Sequence, residues 1–126
     1  MKTKSIFISA ILLSALFMQV NAQTVTFDKY KHDFGTIKES DGKVSVVFTF
    51  TNQSDSSLVI SRVSTSCGCS AAEWTKEPVA PGEQGTIKAT YDPRNRISSF
   101  NKSITVYSNG DPSKIVLSIQ GTAIRE

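Results

Sequence analysis

The chain has 126 residues, the length of one domain with one core. Its formal net charge is +3, from 14 Lys and Arg against 11 Asp and Glu that do not cluster, so it lacks the electrostatic footprint of a nucleic-acid binder. Two cysteines are too few for a disulfide-built scaffold, and with a single histidine they are too few for a four-ligand structural zinc site.

The first element in chain order is a leader. Lys2 and Lys4 precede a charge-free, mostly apolar run from Ile6 to Phe17, and Val20 and Ala22 place small residues before Gln23. That layout predicts a signal peptide over residues 1–22 with cleavage after Ala22. Gln19 and Asn21 end the run short of the roughly 20 apolar residues of a membrane span, so no transmembrane anchor is expected after cleavage. No cysteine sits just after the cut, which leaves lipid attachment unsupported. Losing Lys2 and Lys4 leaves 12 basic residues against 11 acidic, a net charge of +1.

Residues 23–126 read as one β domain. Period-2 alternation is clean in four segments: Val44, Val46, Phe48 and Phe50; Ile87, Ala89 and Tyr91; Ile104 and Val106; and Ile115, Leu117 and Ile119. Shorter runs at 24–28, 33–37 and 58–64 are rich in β-branched and aromatic residues and read as further strands. Asp41-Gly42 and Pro81-Gly82 supply turn chemistry, the second suited to the two central positions of a type II turn. The loop at 92–99 is long enough to cross between sheets. No window after the leader carries apolar residues at helical spacing. The expectation is all-β: an immunoglobulin-like antiparallel β-sandwich of about seven strands.

Cys67-Gly68-Cys69 is the most unusual motif. In a straight strand the two thiols would face the same way about 6.6 Å apart. A disulfide needs its β-carbons at about 3.5–4.5 Å, so bridging requires the backbone to bend at Gly68, which can take turn or left-handed dihedrals. Such a three-residue ring would stabilise the fold by only about 1.6 kcal/mol before strain is subtracted, and a strained bridge is a labile one. Four readings stay open: a bridge, buried thiol packing, a redox pair, or a soft-metal site for Cu(I).

Other residues have ordinary readings. His32 beside Asp33 fits a solvated turn better than the base of a Cys-His pair, and no Ser-His-Asp, paired-carboxylate or phosphate-loop pattern stands near it. No enzymatic activity and no cofactor are expected. Trp74 fits the sandwich core better than a carbohydrate-stacking platform, a role also conceivable for Tyr107. Arg94 and Arg96 flank Asn95 in a polar loop. Asn52-Gln53-Ser54 and Asn101-Lys102-Ser103 match the glycosylation acceptor pattern.

Taken together, "HDFGTIKES" (32–40), "FTFTNQSDSSLVI" (48–60), "TSCGCS" (65–70), "PVAPGEQGTIKATYD" (78–92) and "FNKSITVYSN" (100–109) resemble the bacterial domain-of-unknown-function family 1573, exported domains related to Hydin-type and PapD-like sandwiches. The resemblance runs from about Val25 to Ile124. It implies an immunoglobulin-like fold and export across a bacterial inner membrane, and it implies no activity. Ser70 stands where the family more often has threonine. The expected function is a non-enzymatic binding or structural module of the cell envelope, periplasmic or secreted, with another envelope protein as partner. The alternative is a thiol-redox or copper-binding protein using Cys67 and Cys69.

Overall fold

A computed structural model describes residues 24–125; the leader expected over residues 1–22 lies outside the described residues. Eight strands follow one another: β1 (Val25–Phe27), β2 (Lys31–Lys38), β3 (Val44–Asn52), β4 (Ile60–Thr65), β5 (Ser70–Trp74), β6 (Gln84–Tyr91), β7 (Ser98–Ser108) and β8 (Lys114–Ile124). An isolated bridge between Leu58 and Val79 adds one more short pairing, so the strand count exceeds the expected seven or so. Two four-stranded sheets, ordered β1-β3-β6-β5 and β2-β8-β7-β4, pack face to face.

The alternation seen in the sequence makes the core. Phe48, Phe50, Ile87, Ala89 and Tyr91 point inward from the first sheet to meet Ile104, Val106, Leu117 and Ile119 of the second, and all are buried. Between the inward residues of β3, Val47 faces solvent and is 45% exposed, as a period of two requires. Tyr91 and Phe100 stack across the gap with ring centroids 3.9 Å apart, at the end where the loop after β6 carries the chain to the opposite sheet. Gly82 has φ of 81° and Glu83 N–H bonds Ala80 O at 3.0 Å, which places Pro81-Gly82 at the centre of a type II turn as expected.

Three features depart from expectation. The second sheet is mixed rather than antiparallel, because β2 runs parallel to β8. Nearly the whole domain separates these two strands in sequence, so the length of a crossover places no constraint on their direction. β8 extends to Ile124, past the last clean apolar alternation. Finally, β5 was not anticipated: Ser-Ala-Ala-Glu-Trp lacks β-branched residues, and its pairing with β6 makes it a strand.

The chain switches sheets at both sides of the sandwich. Asp28–Tyr30 links β1 to β2 at one side, and Ser66–Cys69 links β4 to β5 at the other. The cysteine triplet is therefore a corner between two edge strands rather than part of a strand.

Candidate functional site: the β4–β5 corner and the β5 edge

At this corner Cys67 and Cys69 form a disulfide, with Cα atoms 5.3 Å apart. The required bend is a tight turn in which Ser70 N–H bonds Cys67 O at 3.3 Å. The Thr65 hydroxyl lies over it, 3.1 Å from Cys67 O and 3.3 Å from Ser70 O. Asp92 N–H bonds Cys69 O at 2.9 Å, tying the turn to the end of β6. Ser66 is tied to β7 through its N–H to Ser103 O and through its hydroxyl, which accepts Ser103 N–H at 3.0 Å.

Of the two conformations the sequence allowed at Gly68, a turn or a left-handed residue, the structure has the turn. Positive φ occurs at Gly35, Gly42, Gly82 and Asn95, not at Gly68, and a β-carbon on Gly68 would meet nothing within 4 Å. The turn closes with an ordinary backbone. Gly68→Ala is therefore expected to leave the bridge formed and to shift stability by no more than about 0.5 kcal/mol, as measured by denaturant unfolding and thiol titration.

The two sulfurs differ in setting. Cys69 is 5% exposed and belongs to the core, whereas Cys67 is half-buried at its margin. Cys67 Sγ accepts the Cys69 N–H at 3.2 Å and lies 3.9 Å from the Ser70 hydroxyl. Beside Cys69 a small cavity is lined by Lys43, Ser70, Ala71, Thr90 and Asp92. Asp92 also receives Arg94 N–H at 3.0 Å; this bond, with the charges of Arg94, Lys43 and Arg96, holds its carboxyl below the usual carboxylate range.

His32 is remote from this corner. It lies on β2, and β4 occupies the opposite edge of the same four-stranded sheet, three strand spacings or about 14 Å away. It packs edge-on against Phe34 instead, with centroids 4.7 Å apart. With the bridge closed neither sulfur is a thiolate, so a soft metal could bind only after reduction. Among the described residues no three His, Cys, Asp or Glu side chains group as a metal site.

The remaining candidates have structural partners. The Trp74 indole packs against the core with the Lys76 ammonium 4.4 Å above its ring, and its buried Nε1 has no hydrogen-bond partner. Tyr107 carries the Arg62 guanidinium at 4.0 Å. Arg94 pairs with Asp92 at 3.3 Å, and Arg96 bonds Arg94 O at 3.2 Å. Asn101 is exposed, but Asn52 is fully buried, so its match to the glycosylation pattern has no reachable side chain.

Sequence reasoning missed the surface beside the corner. β5 ends its sheet, and its register with β6 is unbroken from Ser70 to Trp74. Asp92 N–H bonds Cys69 O and Thr75 N–H bonds Thr86 O. These two bonds set the parity: Ala71 and Glu73 turn their backbone groups toward β6, while Ala72 and Trp74 turn theirs away from the sheet. The other three edges are guarded. β1 has three residues, β2 breaks register between Asp33 and Thr36, and β4 breaks it between Ile60 and Arg62. A shallow depression lined by Val47, Glu73, Trp74, Thr75, Thr86 and Lys88 lies beside β5.

Residues 25–123 match the family described as "Protein of unknown function (DUF1573)". No curated protein matches the chain. Among solved structures, a protein of unknown function from Porphyromonas gingivalis W83 is similar at TM-score 0.69 and 16% identity, covering 84% of this chain and 50% of that one. The Vibrio cholerae VesB protease aligns at TM-score 0.63 and 16% identity, over 92% of this chain and 35% of its own. The ASH/PapD-like domain 7 of human CEP192 aligns at TM-score 0.69 and 9% identity, over 87% of this chain and 92% of its own. This chain thus spans half the length of the Porphyromonas protein and about a third of the protease. At these identities the likeness is one of fold, a PapD-like immunoglobulin-type sandwich.

Proposed function

We propose that this chain, which belongs to the DUF1573 family of proteins of unknown function, is a non-enzymatic protein-binding module that accepts an extended strand of a partner along β5. One observation carries the reading: β5 is the single regular, unguarded sheet edge among the described residues. The outward N–H and C=O groups of Ala72 and Trp74 provide the backbone pairing of strand addition. Export to the periplasm or beyond is part of the proposal. The leader pattern supports it, as does the disulfide, since disulfides persist in oxidising compartments. The partner is accordingly another envelope protein.

The test is photo-cross-linking in intact cells, with the reactive group placed at Glu73 beside the edge or at Val116, 52% exposed on the opposite sheet. An adduct from position 73 and none from 116 is the expected result. Free monomer alone from both positions, or equal adducts from both, would count against the proposal.

A second reading, redox chemistry at Cys67 and Cys69, is favoured by the bridge itself, and Cu(I) binding would require its prior reduction. The pair sits at the surface margin of the core, where a reductant can reach one of its sulfurs.

A further inference from the structure

We infer that Cys67 is the exchanging sulfur of the pair, the one that forms the mixed disulfide with a partner protein's dithiol or disulfide, while Cys69 resolves it. The inference rests on the redox reading of the pair and assigns its two sulfurs different roles. Their surroundings differ in the two properties that set thiol reactivity, access and stabilisation of the thiolate. Cys67 is half-buried at the margin of the core and Cys69 is 5% exposed within it, so an incoming sulfur meets Cys67 first. Cys67 Sγ also has a hydrogen-bond donor already in place, the Cys69 N–H at 3.2 Å, with the Ser70 hydroxyl at 3.9 Å. Donors directed at a sulfur favour its anionic form. The donor at 3.2 Å belongs to the turn backbone, which is further held by the Thr65 hydroxyl and by the bond from Asp92 N–H to Cys69 O.

The exchange balances in both directions. In the reduced protein the Cys67 thiolate attacks one sulfur of a partner disulfide. A Cys67–partner S–S bond forms, the partner's S–S bond breaks, and the second partner sulfur leaves as a thiolate that takes up a proton. Cys69 then loses its proton and attacks Cys67 Sγ, expelling the first partner sulfur. Two electrons have passed from the pair to the partner, and the internal bridge is restored. In reverse, a partner dithiol attacks Cys67 Sγ and Cys69 is the leaving group. Cys67 is the attacked or attacking sulfur whichever way the electrons move.

The test uses the whole exported protein. The bridge is opened with a mild dithiol, which is then removed, and the thiols are pulse-labelled with iodoacetamide across a pH series and located by peptide mapping. Cys67 should label about tenfold faster than Cys69, with a rate midpoint below the value near 8.5 of an unperturbed cysteine. In a second arm, glutathione disulfide is added to reduced Cys69→Ser and Cys67→Ser, and a stable mixed disulfide should accumulate on the first variant only. Equal labelling, or a mixed disulfide that forms as readily on Cys69, overturns the assignment. A bridge that resists the dithiol until the protein unfolds overturns the redox reading as well. Wild-type labelling decides the question even if either variant fails to fold.

Discussion

Replacing Asn52 with alanine is expected to destabilise the fold by about 3 kcal/mol, from the loss of four hydrogen bonds and the void left by a fully buried side chain. Asn52 closes β3 and is fully buried. Its Nδ2 donates to Ser56 O and to Val79 O, each at 2.8 Å, and its Oδ1 accepts Ser54 N–H at 2.9 Å and the Ser54 hydroxyl at 2.7 Å. Its own backbone joins the same junction, through Asn52 N–H to Glu83 O and Gly82 N–H to Asn52 O. One side chain thus ties the end of β3 to the loop after it and to the segment before β6. Alanine would remove all four side-chain bonds and open a void. Asn52→Asp should fare no better, because a buried carboxylate would then face two carbonyl oxygens. For a domain of this size the loss corresponds to a melting temperature lower by roughly 10 °C or more. Asn101→Ala, on the exposed surface, is the control and should stay within about 0.5 kcal/mol. A thermal or urea unfolding curve for Asn52→Ala that overlays the control would show that the junction does not carry this energy.

Proline placed at adjacent positions of β5 should give opposite results. Ala71→Pro removes an N–H directed at β6 and leaves a carbonyl of that strand unpaired, so a loss of about 2–4 kcal/mol is expected. Ala72→Pro removes an N–H that faces away from the sheet, and edge strands tolerate proline there, so the loss should be about 1 kcal/mol or less. The parity behind this contrast comes from two bonds, Asp92 N–H to Cys69 O and Thr75 N–H to Thr86 O. Chemical denaturation of the two variants side by side measures it. Equal losses, or the larger loss at Ala72, would mean that β5 presents different backbone groups to solvent, and strand addition would lose its geometric basis.

Much of the architecture was legible because it is written locally. Phe48 and Phe50 in β3, and Ile87, Ala89 and Tyr91 in β6, alternate with residues that face solvent, and that period alone places them in a sandwich core. The turn at Pro81-Gly82 was equally plain, since only a glycine-like residue suits a φ of 81° there. What was not legible depends on partners distant in sequence. The parallel pairing of β2 with β8 joins the two ends of the domain, and β5 is a strand only because β6 lies beside it. Asn52 could match a glycosylation acceptor pattern while fully buried because three letters carry no information on burial. The cysteine triplet allowed four readings for a similar reason: the bridge follows from a turn whose closing bonds come from Thr65, Ser70 and Asp92, and spacing within the triplet does not encode them. The asymmetry between Cys67 and Cys69 is likewise a property of the corner, where one residue lies half-buried at the margin of the core and the other belongs to it.

The claim on which the functional account depends is that a partner strand lies along the outward edge of β5. Its most direct measurement is the yield of the in-cell adduct from a photo-reactive group at Glu73, compared with and without Ala72→Pro. The account predicts that the substitution abolishes the adduct while the folded protein accumulates to its usual level. An undiminished adduct in the presence of Ala72→Pro would contradict it, since a partner held by the backbone groups of that edge could not remain bound after one of them is removed and a ring stands in its place.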